Sequence, residues 1–186
     1  MVDKQAIEKA FGEIVEGLGV SAPSNGLRDT PTRVAVAYEE LFSGIDQDPA
    51  GELAVTFDEE HDDLMMVRNM PLYSMCEHHL LPFFGSAHIG YVPKGKVAGV
   101  SKLARVVEIL SRRPQMQERL TKQVADTIYE GVGPDGLVVI IDAEHLCMTM
   151  RGIQKPGTRI VTLAARGQFE KGRFSKEQLI SILQGS

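Results

Sequence analysis

Residues 137–147 of the chain read LVVIIDAEHLC. The first five residues form a continuous apolar run of strand length, which predicts a β-strand buried on both faces. The same stretch ends in His145-Leu146-Cys147, and the imidazole and thiol side chains of this tripeptide both bind metals. A core strand and a candidate site therefore adjoin each other in the chain.

Four other segments have the composition or the alternation of strands. Ala87, Ile89 and Tyr91 alternate with His88 and Gly90, which is the period of a half-buried strand. The other three are residues 65–67 and 72–74, two short candidates separated by Pro71, and residues 159–163, which follow a turn at 155–157. With residues 137–141, these segments predict two hairpins.

Apolar residues at helical spacing predict helices around these hairpins. One helix starts with Thr30 as its N-cap and Pro31 as its first residue, and another has Ser101 as its N-cap. The apolar faces are Ile7, Phe11, Ile14, Val15 and Leu18; Val34, Tyr38, Leu41 and Phe42; Leu103, Val106, Val107 and Leu110; Met116, Leu120, Val124 and Ile128; and, in a helix from Ser175, Leu179, Ile180 and Leu183.

The order of these elements predicts an α+β protein with an antiparallel sheet. At 186 residues the chain is long enough for one well-buried core and short for two full domains. We expect one structural unit, in which residues 1–50 form an N-terminal helical segment and residues 51–186 form the main domain.

The composition is that of a globular protein, with 43% hydrophobic and 24% charged residues. No apolar run approaches the roughly 20 residues that a membrane span needs. The N-terminal residues lack the basic and then apolar pattern of a signal peptide. We therefore expect a cytoplasmic protein without a membrane partner.

The net charge of −5 is unevenly distributed along the chain. Residues 1–75 contain 15 acidic and 5 basic residues, whereas residues 76–186 contain 10 acidic and 15 basic residues. A basic excess in the second part favours a small anionic substrate. Because acidic residues dilute it and no aromatic stacking pattern accompanies it, we expect no nucleic-acid partner.

The chain has two cysteines, and each has a histidine close by in the sequence. Cys76 and His79 have the C-x-x-H spacing that presents a sulfur and an imidazole to one ion, and Cys147 can add a third ligand. Three such ligands suit Zn²⁺ and leave one position open for water. His78 and His145 remain as candidate proton carriers, which together predicts a metal-assisted hydrolase.

Two alternatives to this interpretation remain open at this stage. The two cysteines could form a disulfide, although a reducing cytosol and the neighbouring histidines argue against it. His78 could orient a metal ligand rather than carry a proton.

The role of His145 is supported by its position relative to Cys147. Residues two apart on a strand share a face, so a ligand at Cys147 would place His145 on the face of the site.

Four blocks of the sequence resemble the signature of the GTP cyclohydrolase I family, in the family's order and spacing. They are residues 74–83 (SMCEHHLLPF), 99–105 (GVSKLAR), 113–121 (RPQMQERLT) and 145–152 (HLCMTMRG). The resemblance covers roughly residues 28–170. Four blocks in register are far more specific than a single C-x-x-H.

This resemblance implies a zinc-dependent enzyme that hydrolyses GTP at the imidazole C8, releases formate and recloses the product to 7,8-dihydroneopterin triphosphate. That reaction is the first step of tetrahydrofolate or tetrahydrobiopterin synthesis. The implied fold is the tunnelling fold, in which the sheets of several subunits join into a barrel. The implied assembly is a decamer of two pentameric rings, with the active sites between subunits.

The resemblance also assigns substrate-binding residues. Glu118, with Gln117 beside it, would bind the N–H groups on the Watson–Crick edge of guanine. Without the resemblance, an ion pair between Glu118 and Lys122 is the simpler interpretation. The residues implied for the triphosphate are Ser101, Lys102, Arg105 and Arg151.

Two other functions compete with this interpretation. One is a nitrile reductase-like enzyme of deazapurine metabolism on the same fold, which would use a nucleophilic cysteine and a nicotinamide cofactor. The other is a non-catalytic protein with a purely structural zinc site, which would need a fourth protein ligand.

Overall fold

The computed structural model describes residues 2–19, 25–60, 62–170 and 181. Within these ranges the chain is an α+β protein in which helices pack against one face of a five-stranded sheet. The predicted fold class is confirmed. The helix predicted from Ser175 to Leu183 lies, apart from Ser181, outside the described residues.

The elements follow one another largely in the order predicted. The helices are Lys4–Gly17 (α1), Asn25–Arg28 (α2), Thr30–Leu41 (α3), Val100–Ser111 (α4), Gln117–Val132 (α5) and Leu146–Thr149 (α6), with a 3-10 helix at Pro49–Leu53. The strands are Thr56–Asp58 (β1), Met65–Cys76 (β2), Pro82–Val92 (β3), Lys96–Ala98 (β4), Pro114–Gln115 (β5), Gly136–His145 (β6) and Arg159–Gly167 (β7). None of the helices described is long and apolar enough to cross a membrane.

The strand order of the main sheet decides where the chemical groups meet. The order is β5-β2-β3-β6-β7, and β3 is antiparallel to both β2 and β6. β2 and β6 therefore run in the same direction on the two sides of β3. Their last residues, Cys76 and His145, consequently lie at the same end of the sheet.

Two amphipathic helices, α4 and α5, form the core with this sheet. Leu103 and Val106 of α4, and Leu120 and Ile128 of α5, are fully buried against the strands, as their spacing predicts. Burial of each such side chain contributes about 1.5–3 kcal/mol. β6 is buried on both faces, since Val138 and Ile140 pack with Phe169 on the face away from the helices.

β2 differs from its prediction, because one continuous strand replaces the two short candidates. Pro71 lies inside it and pairs with Ser86 of β3. The interruption occurs earlier, where the register shifts between Val67 and Met70 and Asn69 has a φ of 56°. Pro71 is tolerated because β5 pairs with β2 only at its last two residues, so that β2 is an edge strand at this point.

Two predicted N-caps are displaced by one or two residues. Asp29 rather than Thr30 precedes α3, and Thr30 instead donates its hydroxyl to the carbonyl of Gly26 at 3.1 Å. Gly99 rather than Ser101 precedes α4, so Ser101 lies inside the first turn. Neither Asp29 nor Gly99 makes a side-chain hydrogen bond to its helix, so no side-chain cap fixes the position where either helix begins.

We predict opposite stability changes for the same substitution at Gly85 and Gly12. A Cβ at Gly85 would lie 2.0 Å from the backbone oxygen of Asp142 on the neighbouring strand. Gly85→Ala should therefore lower the free energy of unfolding by about 1–3 kcal/mol or more. A Cβ at Gly12, inside α1, meets no atom within 4 Å, so Gly12→Ala should raise it by about 0.5–1 kcal/mol. Urea unfolding measures the free energy of unfolding of each variant. Equal changes in the two variants would contradict the close packing of Gly85 against the neighbouring strand.

Candidate metal centre and active site

The turn between β2 and β3 brings two histidines to the thiol of Cys76. The Cys76 N–H donates to the carbonyl of Leu81 at 2.9 Å, and the Cys76 carbonyl accepts from the N–H of Leu80 at 2.8 Å. Leu80 has a left-handed φ of 49° within this turn. The Nδ1 atoms of His78 and His79 thereby lie 3.8 and 3.9 Å from Cys76 Sγ.

Cys147 reaches the same point from the end of β6. That strand ends at His145, and Cys147 lies on the single helical turn α6. The prediction that His145 and Cys147 share a strand face is therefore wrong, because the two residues do not share a strand. The three side chains still converge, since one ligand atom each from Cys76, His79 and Cys147 lies within 4.8 Å of the others.

The chemistry of these three donors fits a divalent cation. Both cysteines are free thiols, so the structure contains no disulfide between them. Burial raises the pKa of Cys147, and the adjacent Cys76 raises it further through its charge and a hydrogen bond. Two neighbouring thiolates repel each other unless a cation lies between them. In the described part of the chain no fourth His, Cys, Asp or Glu joins the group.

An ion pair behind the turn supports the ligands. Arg119 of α5 pairs with Glu77, and its hydrogen bond holds the pKa of that carboxyl below its usual range. Arg119 Nε also donates to Gln115 Oε1 at 3.1 Å, and the Glu77 N–H donates to the Gln115 carbonyl at 3.0 Å. The turn that carries His78 and His79 is therefore tied to both β5 and α5. Sequence analysis missed Gln115 because this contact joins distant segments.

His145 is held in one orientation at the end of β6. Its ring stacks on Phe83, with the centroids 4.5 Å apart and the planes 2° from parallel. The side chain is buried, and burial lowers the pKa of His145, while the carboxylate of Glu118 partly opposes this change. Sequence analysis missed Phe83, whose position opposite His145 depends on the register of β3 and β6.

Gln117 contacts His145 from the side. The side chain of Gln117 is 1% exposed, and its Oε1 lies 2.7 Å from His145 Nε2. Its amide nitrogen is bonded to β6 and β7 through Ile141, Ile160 and Thr162. The Gln117 side chain is therefore directed into the protein, toward His145, rather than into solvent.

The side chain of Glu118, unlike that of Gln117, lies at the surface. Its side chain is exposed at the start of α5, close enough to His145 to affect the pKa of that ring. The alternative pairing with Lys122 is wrong, because Lys122 instead binds Asp126 at 2.6 Å. Among the described residues the carboxylate of Glu118 has no ion-pair partner.

The predicted phosphate-binding residues fall into two groups. Lys102 and Arg105 both contact the carboxylate of Glu52, at 2.9 and 3.9 Å, near the N-terminus of α4. The other end of α4 adjoins β2 two residues before Cys76, because the hydroxyl of Ser74 donates to the Ser111 carbonyl at 2.7 Å. Ser101 and Ser111 are about 15 Å apart along the helix.

Arg151 belongs to the other group. It is exposed beyond α6, and its charge opposes the rise in the pKa of Cys147. One chain therefore brings together Cys76, His78, His79, Cys147, Arg151, His145, Gln117 and Glu118, but not Ser101, Lys102 and Arg105.

Comparison with known proteins identifies the family to which this chain belongs. The sequence model of the GTP cyclohydrolase I family matches residues 7–184. The chain belongs to the GTP cyclohydrolase I family. A relative from Pelotomaculum thermopropionicum named GTP cyclohydrolase 1 is 52% identical over 100% of this chain and 99% of its own length. One from Carboxydothermus hydrogenoformans with the same name is 53% identical over 98% of this chain and 96% of its own length.

The predicted family is thus confirmed, and the fold of this family is the tunnelling fold. The assignment does not support the nitrile reductase-like alternative. A solved structure of the archaeosine synthase QueF-Like in the apo form is 17% identical, with a TM-score of 0.46 over 56% of this chain and 93% of that one. That likeness is too distant to add to the assignment.

We predict different metal contents for two variants of the adjacent histidines. Both rings lie near Cys76 Sγ, but only His79 belongs to the three-donor group with Cys147. His79→Ala should therefore lose most of the bound metal, whereas His78→Ala should keep it. Metal analysis of the two purified proteins makes the comparison. Loss of metal only in His78→Ala would instead make His78 the ligand.

Proposed function

We propose that the protein is a GTP cyclohydrolase I, which hydrolyses GTP at C8, releases formate and forms 7,8-dihydroneopterin triphosphate. The observation that supports it most directly is the convergence of Cys76, His79 and Cys147 at the end of a sheet that also carries His145, in a chain of this family. The proposed pathway position is the first step of tetrahydrofolate or tetrahydrobiopterin synthesis. We also propose a cytoplasmic location.

The proposed metal is zinc, held by Cys76, His79 and Cys147. Two thiolates and one imidazole are donors that zinc prefers, and three protein ligands are typical of its catalytic sites. When bound, zinc would lower the pKa of a coordinated water and so make it a better nucleophile for attack on C8. The purely structural alternative needs a fourth ligand, which the described residues do not supply.

We propose that Glu118 selects guanine. An ionised carboxylate accepts two hydrogen bonds side by side, which matches the adjacent N–H donors of guanine. The exposure of Glu118 and the absence of an ion-pair partner among the described residues keep this carboxylate available. Its proximity to His145 would place the purine next to a residue that can transfer protons.

His78 and His145 are the proposed proton carriers. C8 of a purine is a poor electrophile, so its ring nitrogens must accept protons as water adds and the ring opens. His145 is held rigidly by Phe83 and Gln117, whereas His78 is exposed on the turn beside Cys76. A rigid and a more exposed imidazole suit two different proton transfers, whose order stays open.

We propose that Ser101, Lys102, Arg105 and Arg151 bind the triphosphate. The first three lie in the first two turns of α4, where the helix dipole and the unpaired N–H groups also favour an anion. Because α4 separates them from the metal ligands of their own chain, a complete site would combine two subunits.

The edges of the sheet support such an assembly. Among the described residues, no strand pairs with the outer edge of β7 or with β2 before Met75. Open edges of this length favour pairing with further strands. We propose that sheets of neighbouring subunits join into a barrel and that two pentameric rings form a decamer.

The activity is tested with GTP and the metal-loaded protein. We expect formate release and, after oxidation, neopterin fluorescence. Cys147→Ala should lose both the metal and the turnover, because two donors hold zinc much less tightly than three. Gln47→Ala, which changes an exposed side chain bonded only to the Ser43 carbonyl, serves as the control and should keep both. Full turnover by a metal-free Cys147→Ala protein would contradict the proposal.

The shared site is tested by complementation between two inactive variants. Cys147→Ala removes a proposed metal ligand, and Lys102→Ala removes a proposed phosphate-binding cation. If each site combines two chains, co-expression should restore activity at about one site in four. Each half of a site then comes from either variant at random, and only one of the four combinations has both halves unchanged. Differently tagged copies show whether mixed oligomers form. Mixed oligomers without restored activity would mean that one chain supplies both halves.

A further inference from the structure

The side chain of Gln117 has only one possible orientation. Its Nε2 lies 3.0 Å from the Ile141 carbonyl and 2.8 Å from the Ile160 carbonyl. A carbonyl oxygen can only accept a hydrogen bond, so the amide nitrogen must face these two strands. The amide oxygen, Oε1, must then face His145.

The two neighbouring threonines agree with this orientation. Thr121 donates its hydroxyl to the backbone carbonyl of Gln117 at 2.8 Å. In the 2.6 Å contact between Thr121 and Thr162, the donor must therefore be Thr162. Thr162 Oγ1 is left to accept from Gln117 Nε2 at 3.1 Å. Thr162 also lies 3.5 Å from the Ile141 carbonyl, but its single hydrogen is directed to the much closer Thr121. The two hydrogens of the Gln117 amide are shared among three acceptors, the carbonyls of Ile141 and Ile160 and the hydroxyl of Thr162.

The network determines which nitrogen of His145 carries the hydrogen. Gln117 Oε1 can only accept, and it lies 2.7 Å from His145 Nε2. The ring must therefore donate from Nε2. Stacking on Phe83 holds the plane of the ring, so that this contact stays aligned. Among the described residues Nδ1 of His145 makes no hydrogen bond.

We propose that Gln117 is a positioning residue that holds His145 as the Nε2–H tautomer and leaves Nδ1 as the nitrogen that exchanges protons with the substrate. This inference rests on the proposed function for its catalytic consequence, but not for the tautomer itself. In the proposed reaction His145 accepts at Nδ1 a proton released by the water that adds to C8, and then delivers this proton from Nδ1 to a purine ring nitrogen. The ring thereby returns to the neutral Nε2–H tautomer with which it began. Residues that fix the tautomer of an active histidine are typically required for full activity.

The tautomer is measured directly by ¹⁵N NMR of the histidine-labelled, metal-loaded protein at about pH 8, where a histidine is largely neutral. His145→Gln identifies the signal. We expect the Nε2 shift of a protonated nitrogen and the Nδ1 shift of an unprotonated one. The reverse pattern, or an equal mixture of the two tautomers, would overturn the proposal. This readout does not depend on GTP turnover, so it stands even if the proposed activity is absent.

Two variants then test the role of Gln117. Gln117→Met keeps the length of the side chain and removes both polar atoms, so we expect a mixture of tautomers and a kcat about 10- to 100-fold lower, with KM and metal content little changed. Gln47→Met makes the same change at an exposed glutamine outside this network and should keep the tautomer and kcat. An unchanged tautomer in a folded Gln117→Met protein would overturn the proposal. If that variant does not fold, the spectrum of the unmodified protein still decides it.

Discussion

Two thiols, Cys76 and Cys147, meet at one end of the main sheet, and their proximity constrains the rest of the site. Burial raises the pKa of Cys147, and the adjacent Cys76 raises it further, because two neighbouring thiolates repel each other. A cation relieves this repulsion. The C-x-x-H turn and the helical turn α6 together form a three-donor group that could hold such a cation.

The sheet keeps these groups in place. Cys76 and His145 end two strands that flank β3, so their separation depends on the hydrogen-bonded register of three strands rather than on a loop. Contacts from α5 then set the details, with Arg119 binding the turn at Glu77 and Gln117 binding His145. The site is thus held from the sheet and from the helix behind it, which suits chemistry that needs fixed proton positions.

The electrostatics of one chain favour a site shared between chains. The basic pair Lys102 and Arg105 is satisfied by Glu52 at the far end of α4, while Glu118 and the metal ligands lie at the near end. We therefore propose that a long anionic substrate binds across a subunit interface rather than within one chain. The unpaired sheet edges are where such an interface would form.

Sequence alone predicted the α+β class, the apolar faces of α4 and α5, the buried strand β6 and the grouping of Cys76, His79 and Cys147 as candidate metal ligands. Hydrophobic period and C-x-x-H spacing are local properties, which adjacent residues determine. Only the tertiary structure decided that β2 continues through Pro71, that Cys147 lies on a helical turn, and that Gln117 is directed at His145. Those features depend on strand register and on contacts between segments far apart in the chain, which no local pattern encodes.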